Sequence, residues 1–414
     1  MRKPAGDTAL PVMAPKLKET EFYKDLEKAE FSGREIPAAP EAKRKNRRMK
    51  IILFVLFIAF NAGVIIYTGV YEFGSKPPEK LGFAFGPWNY MMIGAGFLCA
   101  AFAIGTETAK YMLMMRATKV RVSFKDAFET AALGKYYDCI TPSGVGGQPF
   151  QIYNLHKAGY SNGVSMAMPL TGFFTMQAGF VILAVFTFIF NGNAVTGLGI
   201  RIPAYIGVVM YMLAPVFIII FTISEPAGEK LIRALAGLGA KIRLIKDPEK
   251  TAGSLVGTLN EHRESVLMMN RKKWLIPVLL GMSVLFQLAI LSIPYFIIMA
   301  YNGSESFFNL LTMTAYAYCA VTIIPTPGNS GAAEGAFYII FSQLDPTGLF
   351  WSMLIWRLAC FYLFIGLGIA IYAAKAVKAG WKRSKGAAGT GRNMTGYQKS
   401  KETECGSITD RSAR

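Results

Sequence analysis

Six apolar runs divide this chain: Ile51–Tyr71, Tyr90–Ile104, Met166–Phe190, Ile202–Ile223, Trp274–Ala300 and Phe350–Ala374. A helix needs about 20 such residues to cross the hydrocarbon core of a bilayer. Inside that core only helices and closed barrels can pair every backbone polar group. A seventh apolar stretch, Phe307–Phe341, is interrupted by Pro325-Thr326-Pro327-Gly328-Asn329-Ser330-Gly331. Only 17% of the residues are charged, against about 25% in ordinary soluble domains, so polar surface is too scarce for a water-soluble globule. The first fifty residues are polar and hold no hydrophobic region near Met1. No cleavable signal is expected, and Ile51 onward reads as an uncleaved first span. Two histidines and five cysteines exclude a disulfide scaffold, a zinc ribbon or a His-rich metalloenzyme, so neither a metal site nor a cofactor is expected.

The placement of charge gives the orientation. Residues 1–50 hold 13 Lys and Arg against 8 Asp and Glu, with six of the bases in Lys43–Lys50. Residues 105–162 hold 7 against 4, residues 223–273 hold 10 against 6, and residues 375–414 hold 10 against 3. Together these segments carry 40 of the 44 basic residues, and the alternate loops are nearly bare. By the positive-inside rule both termini are cytoplasmic. The net charge of +18 therefore belongs to loops facing anionic membrane lipid. A nucleic-acid partner would need a basic face with interleaved aromatics or a known motif, and neither is present.

Two cytoplasmic ends require an even number of crossings. Six spans satisfy this if the irregular apolar segments, Ala127–Asn162 and Phe307–Gln343, dip into the membrane and return. The expected fold is an all-α polytopic membrane protein with six transmembrane helices and two oppositely oriented re-entrant hairpins, arranged as an inverted repeat. Its parts are a basic tail (1–50), a transmembrane domain (51–374, with halves 51–190 and 202–374), and a basic tail (375–414) that reads as disordered. The connector 224–273 interleaves basic and apolar residues at near-helical spacing and reads as an interfacial amphipathic helix. The two breaks resemble each other: Thr141-Pro142 and Thr326-Pro327 are each followed by a glycine five residues after the threonine, then by Gln148 or Glu334.

Proline removes an amide donor and glycine opens backbone conformations closed to other residues. Unpaired backbone at membrane depth is tolerated only where protein buries it or where it lines a polar cavity. Half-helix N-termini there would direct N–H groups toward a phosphate or carboxylate. Simple tight turns are the alternative. Arg357 lies inside an apolar span, where an unpaired charge costs about 2.5–3.5 kcal/mol. It reads either as the partner of Glu334 or as a lipid-phosphate ligand. Tyr136, Tyr137 and Tyr153 read as head-group contacts or membrane-interface anchors, and Gln148 and Gln151 as head-group or helix-to-helix hydrogen-bonding groups.

The stretch Ile140–Leu155 with Lys157-Ala158-Gly159 resembles the first signature of the flippase-like transmembrane family, which includes the membrane half of lysylphosphatidylglycerol synthase. Ile324–Tyr338 is similar to the second signature, and Trp356-Arg357 with Tyr362 and Gly366 to the third. Gln148 and Gln151 stand where many members carry an acidic residue and an arginine, a variant similar to stand-alone Gram-positive forms. The resemblance implies movement of a phospholipid or glycolipid between leaflets of the cell inner membrane. It implies a lipid site built from Thr141, Pro142, Gly146, Gly147, Gln148, Gln151, Tyr153, Pro325, Pro327, Gly328, Gly331, Glu334 and Arg357. It does not imply lysyl transfer, which in the synthase belongs to a separate soluble domain; only Lys375–Arg414 follow the last span here.

An intramembrane lipid-modifying enzyme, such as a phosphatidylglycerol lysyltransferase, is the alternative of a different class. Its titratable candidates are Lys135, Asp138, Glu334 and Arg357, and no catalytic triad or carboxylate pair is apparent. A homo-oligomer is compatible with the chain.

Overall fold

The computed structural model describes residues 56, 59–67, 69–70, 86–141, 146–241, 249, 252–253, 256, 272–301, 303–322, 324, 326, 328–344, 348–378 and 381. The tails, most of the first apolar run, and Pro142, Pro325 and Pro327 lie outside the described residues. Contacts divide the chain into two units, Met1–Ala59 and Phe60–Arg414, and the helices from Pro87 to Lys378 belong to the second.

Among the described residues the chain forms helices and no strand. After the partly described first helix come α1 (Pro87–Ala117), α2 (Phe124–Ile140), α3 (Gly147–Lys157), α4 (Asn162–Asn191), α5 (Leu198–Ile223) and α6 (Glu225–Lys241). Then follow α7 (Leu275–Ala300), α8 (Phe307–Val321), α9 (Ala332–Phe341) and α10 (Leu349–Lys378). Four helices are long and apolar enough to cross a membrane: α1, Gly163–Ala194, α7 and α10. The apolar segment Leu198–Leu213 of α5 is shorter.

Local chemistry sets the helix starts. The Ser123 hydroxyl accepts from the Asp126 amide at 3.2 Å to open α2, and Ser306 accepts from Asn309 at 3.2 Å to open α8. Both satisfy amides that have no partner within the helix. Helix α10 contains a π-turn over Leu358–Tyr362, and such turns concentrate at functional positions.

Helix α1 is longer than the apolar run Tyr90–Ile104 suggests. Residues 105–117, expected on the cytoplasmic side, continue the helix, and Glu107 and Lys110 are buried in it. The two charges cancel as an ion pair at 3.1 Å, so they interrupt neither the helix nor its packing.

Helices α1 and α7 pack antiparallel. The Asn89 amide group donates to the Ala300 carbonyl at 2.6 Å at one end. Tyr111, Met114 and Met115 share a buried cluster with Leu275 and Leu279 at the other. With α6 set aside as the connector, both halves run in the order of a helix, a second helix (α1 or α7), a broken pair (α2–α3 or α8–α9) and a long helix (α4 or α10). The first broken pair is an antiparallel hairpin. Asn154 donates to the Thr130 hydroxyl, Gln151 donates to the Thr130 carbonyl, and the Gly147 amide donates to Asp138. Partners thus descend along α3 as they ascend along α2.

Candidate functional site

The two breaks meet. The amide of Gly328, in the second break, donates to the carbonyl of Thr141, in the first, at 3.1 Å. Each side is locally fixed. The Thr141 hydroxyl donates to the Tyr137 carbonyl at 2.7 Å and accepts from the Gly146 amide at 3.0 Å. The Gly147 amide donates to the Asp138 carboxylate at 2.9 Å, which caps the first turn of α3. In the second break, Ser330 is fully buried and donates to the Asn61 side chain at 2.8 Å. The Gly331 amide donates to Glu334 at 2.6 Å.

Glu334 and Arg357 are only 2% and 6% exposed, and they form a two-pronged ion pair. Arg357 Nε lies 2.7 Å from Glu334 Oε1, and Nη2 donates to Oε2 at 2.7 Å and to the Asn329 carbonyl at 3.4 Å. The Nη2–Oε2 contact is a charge-assisted hydrogen bond, the stronger class, and Nε adds a close charge contact that lacks hydrogen-bond geometry. The guanidinium also lies over the Trp356 and Phe361 rings, at 5.2 and 5.1 Å. Of the two readings open for Arg357, the ion pair with Glu334 is realised, and it holds α10 to the start of α9.

Beside this junction lies a cavity of about 240 Å³. Gln148, Gln177, Gln287 and Asn329 contribute amide groups to its wall, and Glu107, Lys135 and Asp138 contribute charge. The Asn329 Oδ1 is buried without a hydrogen-bond partner among the described residues, as is the nearby Thr326 hydroxyl. A buried acceptor without a donor costs about 1–3 kcal/mol, which a bound ligand or ordered water would recover. Three ion pairs stand at or next to the cavity: Glu107–Lys110 at 3.1 Å, Lys135–Asp138 at 3.5 Å, and Glu334–Arg357. Hydrogen-bonding amides and paired charges set among apolar and aromatic walls suit a ligand that carries a polar group.

The residues expected to form the site divide into three groups. Gln148, Gln151, Gly328 and Arg357 line the cavity. Gln151 is 9% exposed and is held by Thr130. Thr141, Gly146, Gly147, Gly331 and Glu334 shape the wall from behind through the bonds described above. Tyr153 is 40% exposed and bonded to Lys157 at 3.3 Å on the outer side of α3, away from the cavity. Sequence reasoning missed Glu107 and Lys110, whose i, i+3 spacing within an extended helix was the available signal.

The family described as "Lysylphosphatidylglycerol synthase TM region" matches residues 51–368. A "UPF0104 membrane protein" of Archaeoglobus fulgidus is 25% identical over 287 residues, which are 68% of this chain and 85% of that relative.

Proposed function

Because this chain belongs to the family of the lysylphosphatidylglycerol synthase transmembrane region, a multi-pass membrane family, we propose that it moves a phospholipid or lipid-linked head group between the leaflets of the cell inner membrane. Six helices cross, the hairpins α2–α3 and α8–α9 re-enter from opposite faces, and both termini are cytoplasmic. The antiparallel packing of α1 on α7, which hold equivalent places in the two halves, supports an inverted repeat.

The observation that carries the reading is the Thr141–Gly328 junction beside a cavity whose apolar walls carry amide and charged groups. Two broken helix pairs touching through their backbones can part and rejoin without breaking a continuous helix. The head group crosses through the amide-lined cavity while its acyl chains stay in lipid. Rearrangement of the halves about the junction exposes that cavity first to one leaflet and then to the other.

Reconstitution tests this. Vesicles of phosphatidylglycerol and phosphatidylethanolamine carrying a tail-labelled fluorescent phosphatidylglycerol should lose more than half of their fluorescence to an external quencher when the protein is present. Filling the cavity with Met176→Trp, a buried wall position, should return loss to the level of the outer leaflet alone. Equal loss with and without protein would end the proposal.

A further inference from the structure

Among the described residues, three cations at or next to the cavity differ in how their partners hold them. Arg357 is held in a 2.7 Å ion pair by Glu334, lies over two aromatic rings, and is bonded to the Asn329 carbonyl. Lys110 is fully buried between Glu107 and the Gly172 carbonyl, 3.4 Å away, and does not reach the cavity surface. Lys135 differs from both. Its side chain is 24% exposed and lines the cavity. Its nearest carboxylate oxygen, Asp138 Oδ2, is 3.5 Å away, well beyond the roughly 2.7–2.9 Å of a charge-assisted bond. The other Asp138 oxygen is committed to the Gly147 amide, so the carboxylate is held back from closing on the lysine.

An ammonium group has three donors and no acceptor. On one side the Phe286 ring lies 4.9 Å from Lys135 Nζ, and Asp138 takes one direction at long range. Lys135 and Gln148 both line the cavity, which leaves the ammonium group donors to offer there. A lysine so held is a point charge with unused donors in a site of low dielectric, where an anionic oxygen gains most.

We propose that Lys135 is the residue that takes the phosphate oxygen of the head group, with Asp138 as the resting counter-ion that the phosphate displaces. This rests on the cavity being the head-group site. It assigns to Lys135 the part that sequence reasoning offered to Arg357, and it makes phosphate, rather than sugar, the chemistry that the site reads. The pairing is reversible because Asp138 stays fixed to the α3 amide whichever anion Lys135 faces. No covalent step is involved.

The test uses the full chain purified in detergent, with retained lipid counted by native mass spectrometry and binding titrated by thermal shift. The probes are phosphatidylglycerol, the phosphate-free glycolipid monogalactosyldiacylglycerol, and inorganic phosphate. Lys135→Gln should weaken phosphatidylglycerol binding by about 10-fold or more, the loss of one charge-assisted contact. It should leave the glycolipid unchanged, and Lys135→Arg should recover most of the loss. Asp138→Asn keeps an acceptor for the Gly147 amide but removes the competing charge, so it should tighten phosphatidylglycerol several-fold. Inorganic phosphate competing with the lipid in the wild type but not in Lys135→Gln would assign recognition to the phosphate itself; competition that persists in Lys135→Gln would overturn the assignment.

If Lys135→Gln does not fold, Asp138→Asn decides alone, and unchanged or weaker binding there overturns the proposal. Normal phosphatidylglycerol binding by a folded Lys135→Gln overturns it as well. If Met176→Trp then still abolishes binding, the cavity keeps its lipid and only the role of Lys135 falls. If Met176→Trp also binds normally, the cavity is not the head-group site and both readings fall together.

Discussion

The Gly328 amide donates to the Thr141 carbonyl at 3.1 Å, so the second broken helix pair rests on the first through backbone alone. Gly328 has a φ of +57°, in the left-handed region where a Cβ is strained. A side chain there would also meet the Phe361 ring and the Cys139 carbonyl.

Gly328→Ala should therefore open the junction. We expect a loss of stability on the order of 1–3 kcal/mol and a loss of lipid movement in reconstituted vesicles. Gly335→Ala is the control, because a Cβ at Gly335 meets nothing within 4 Å. Thermal unfolding of the two variants should separate them, and similar melting for both would show that the junction contributes little.

Gly147 makes a comparable demand in the first hairpin. A Cβ there would lie 2.6 Å from the Gly134 carbonyl oxygen and 2.7 Å from Asp138 Oδ1, and backbone cannot move aside as a side chain can. Gly147→Leu should splay α3 from α2, with the protein still inserted and the phosphatidylglycerol-dependent thermal shift gone. A wild-type shift in that variant would mean that the first break is only a turn.

How much of this was legible follows from the kind of signal each feature leaves. Apolar runs and Pro-Gly breaks are written in residue type, and the helices α4, α7 and α10 lie where the runs place them. The pairing of Glu334 with Arg357 was visible as one of two readings, because a lone guanidinium in an apolar span needs a counter-charge. The end of α1 was not legible, because Glu107 and Lys110 resemble an interfacial loop until the helix brings them together as a buried pair. Nor was the Thr141–Gly328 junction, since any residue except proline can supply the donor of a bond between backbones.

The re-entry of the hairpins is a question of sidedness. In a cysteine-free background, single cysteines at Lys125 and Ser161 flank the first hairpin at exposed positions, and Ser304 and Gln343 flank the second. An impermeant thiol reagent should reach the first two only from the cytoplasmic face and the last two only from outside. Labelling from opposite faces within either pair would make that segment a full crossing and remove the inverted repeat.

The last prediction concerns Glu334 and Arg357. Removing one partner of a buried pair leaves an uncompensated charge and typically costs about 3–5 kcal/mol. Glu334→Gln and Arg357→Met should each lower the melting temperature sharply, the former also by weakening the acceptor of the Gly331 amide. The double variant buries no lone charge, so it should melt well above either single one, and a double-variant cycle should return a large favourable coupling. Phosphatidylglycerol should still stabilise the double variant, since a ligand stabilises whatever it binds and the phosphate would be held elsewhere. Were Arg357 the phosphate ligand, Arg357→Met would melt nearly as the wild type does without lipid, and added phosphatidylglycerol would no longer shift it. The close ion pair, with Nη2 donating to Glu334 at 2.7 Å and the guanidinium lying over Trp356 and Phe361, makes recovery in the double variant the expected result.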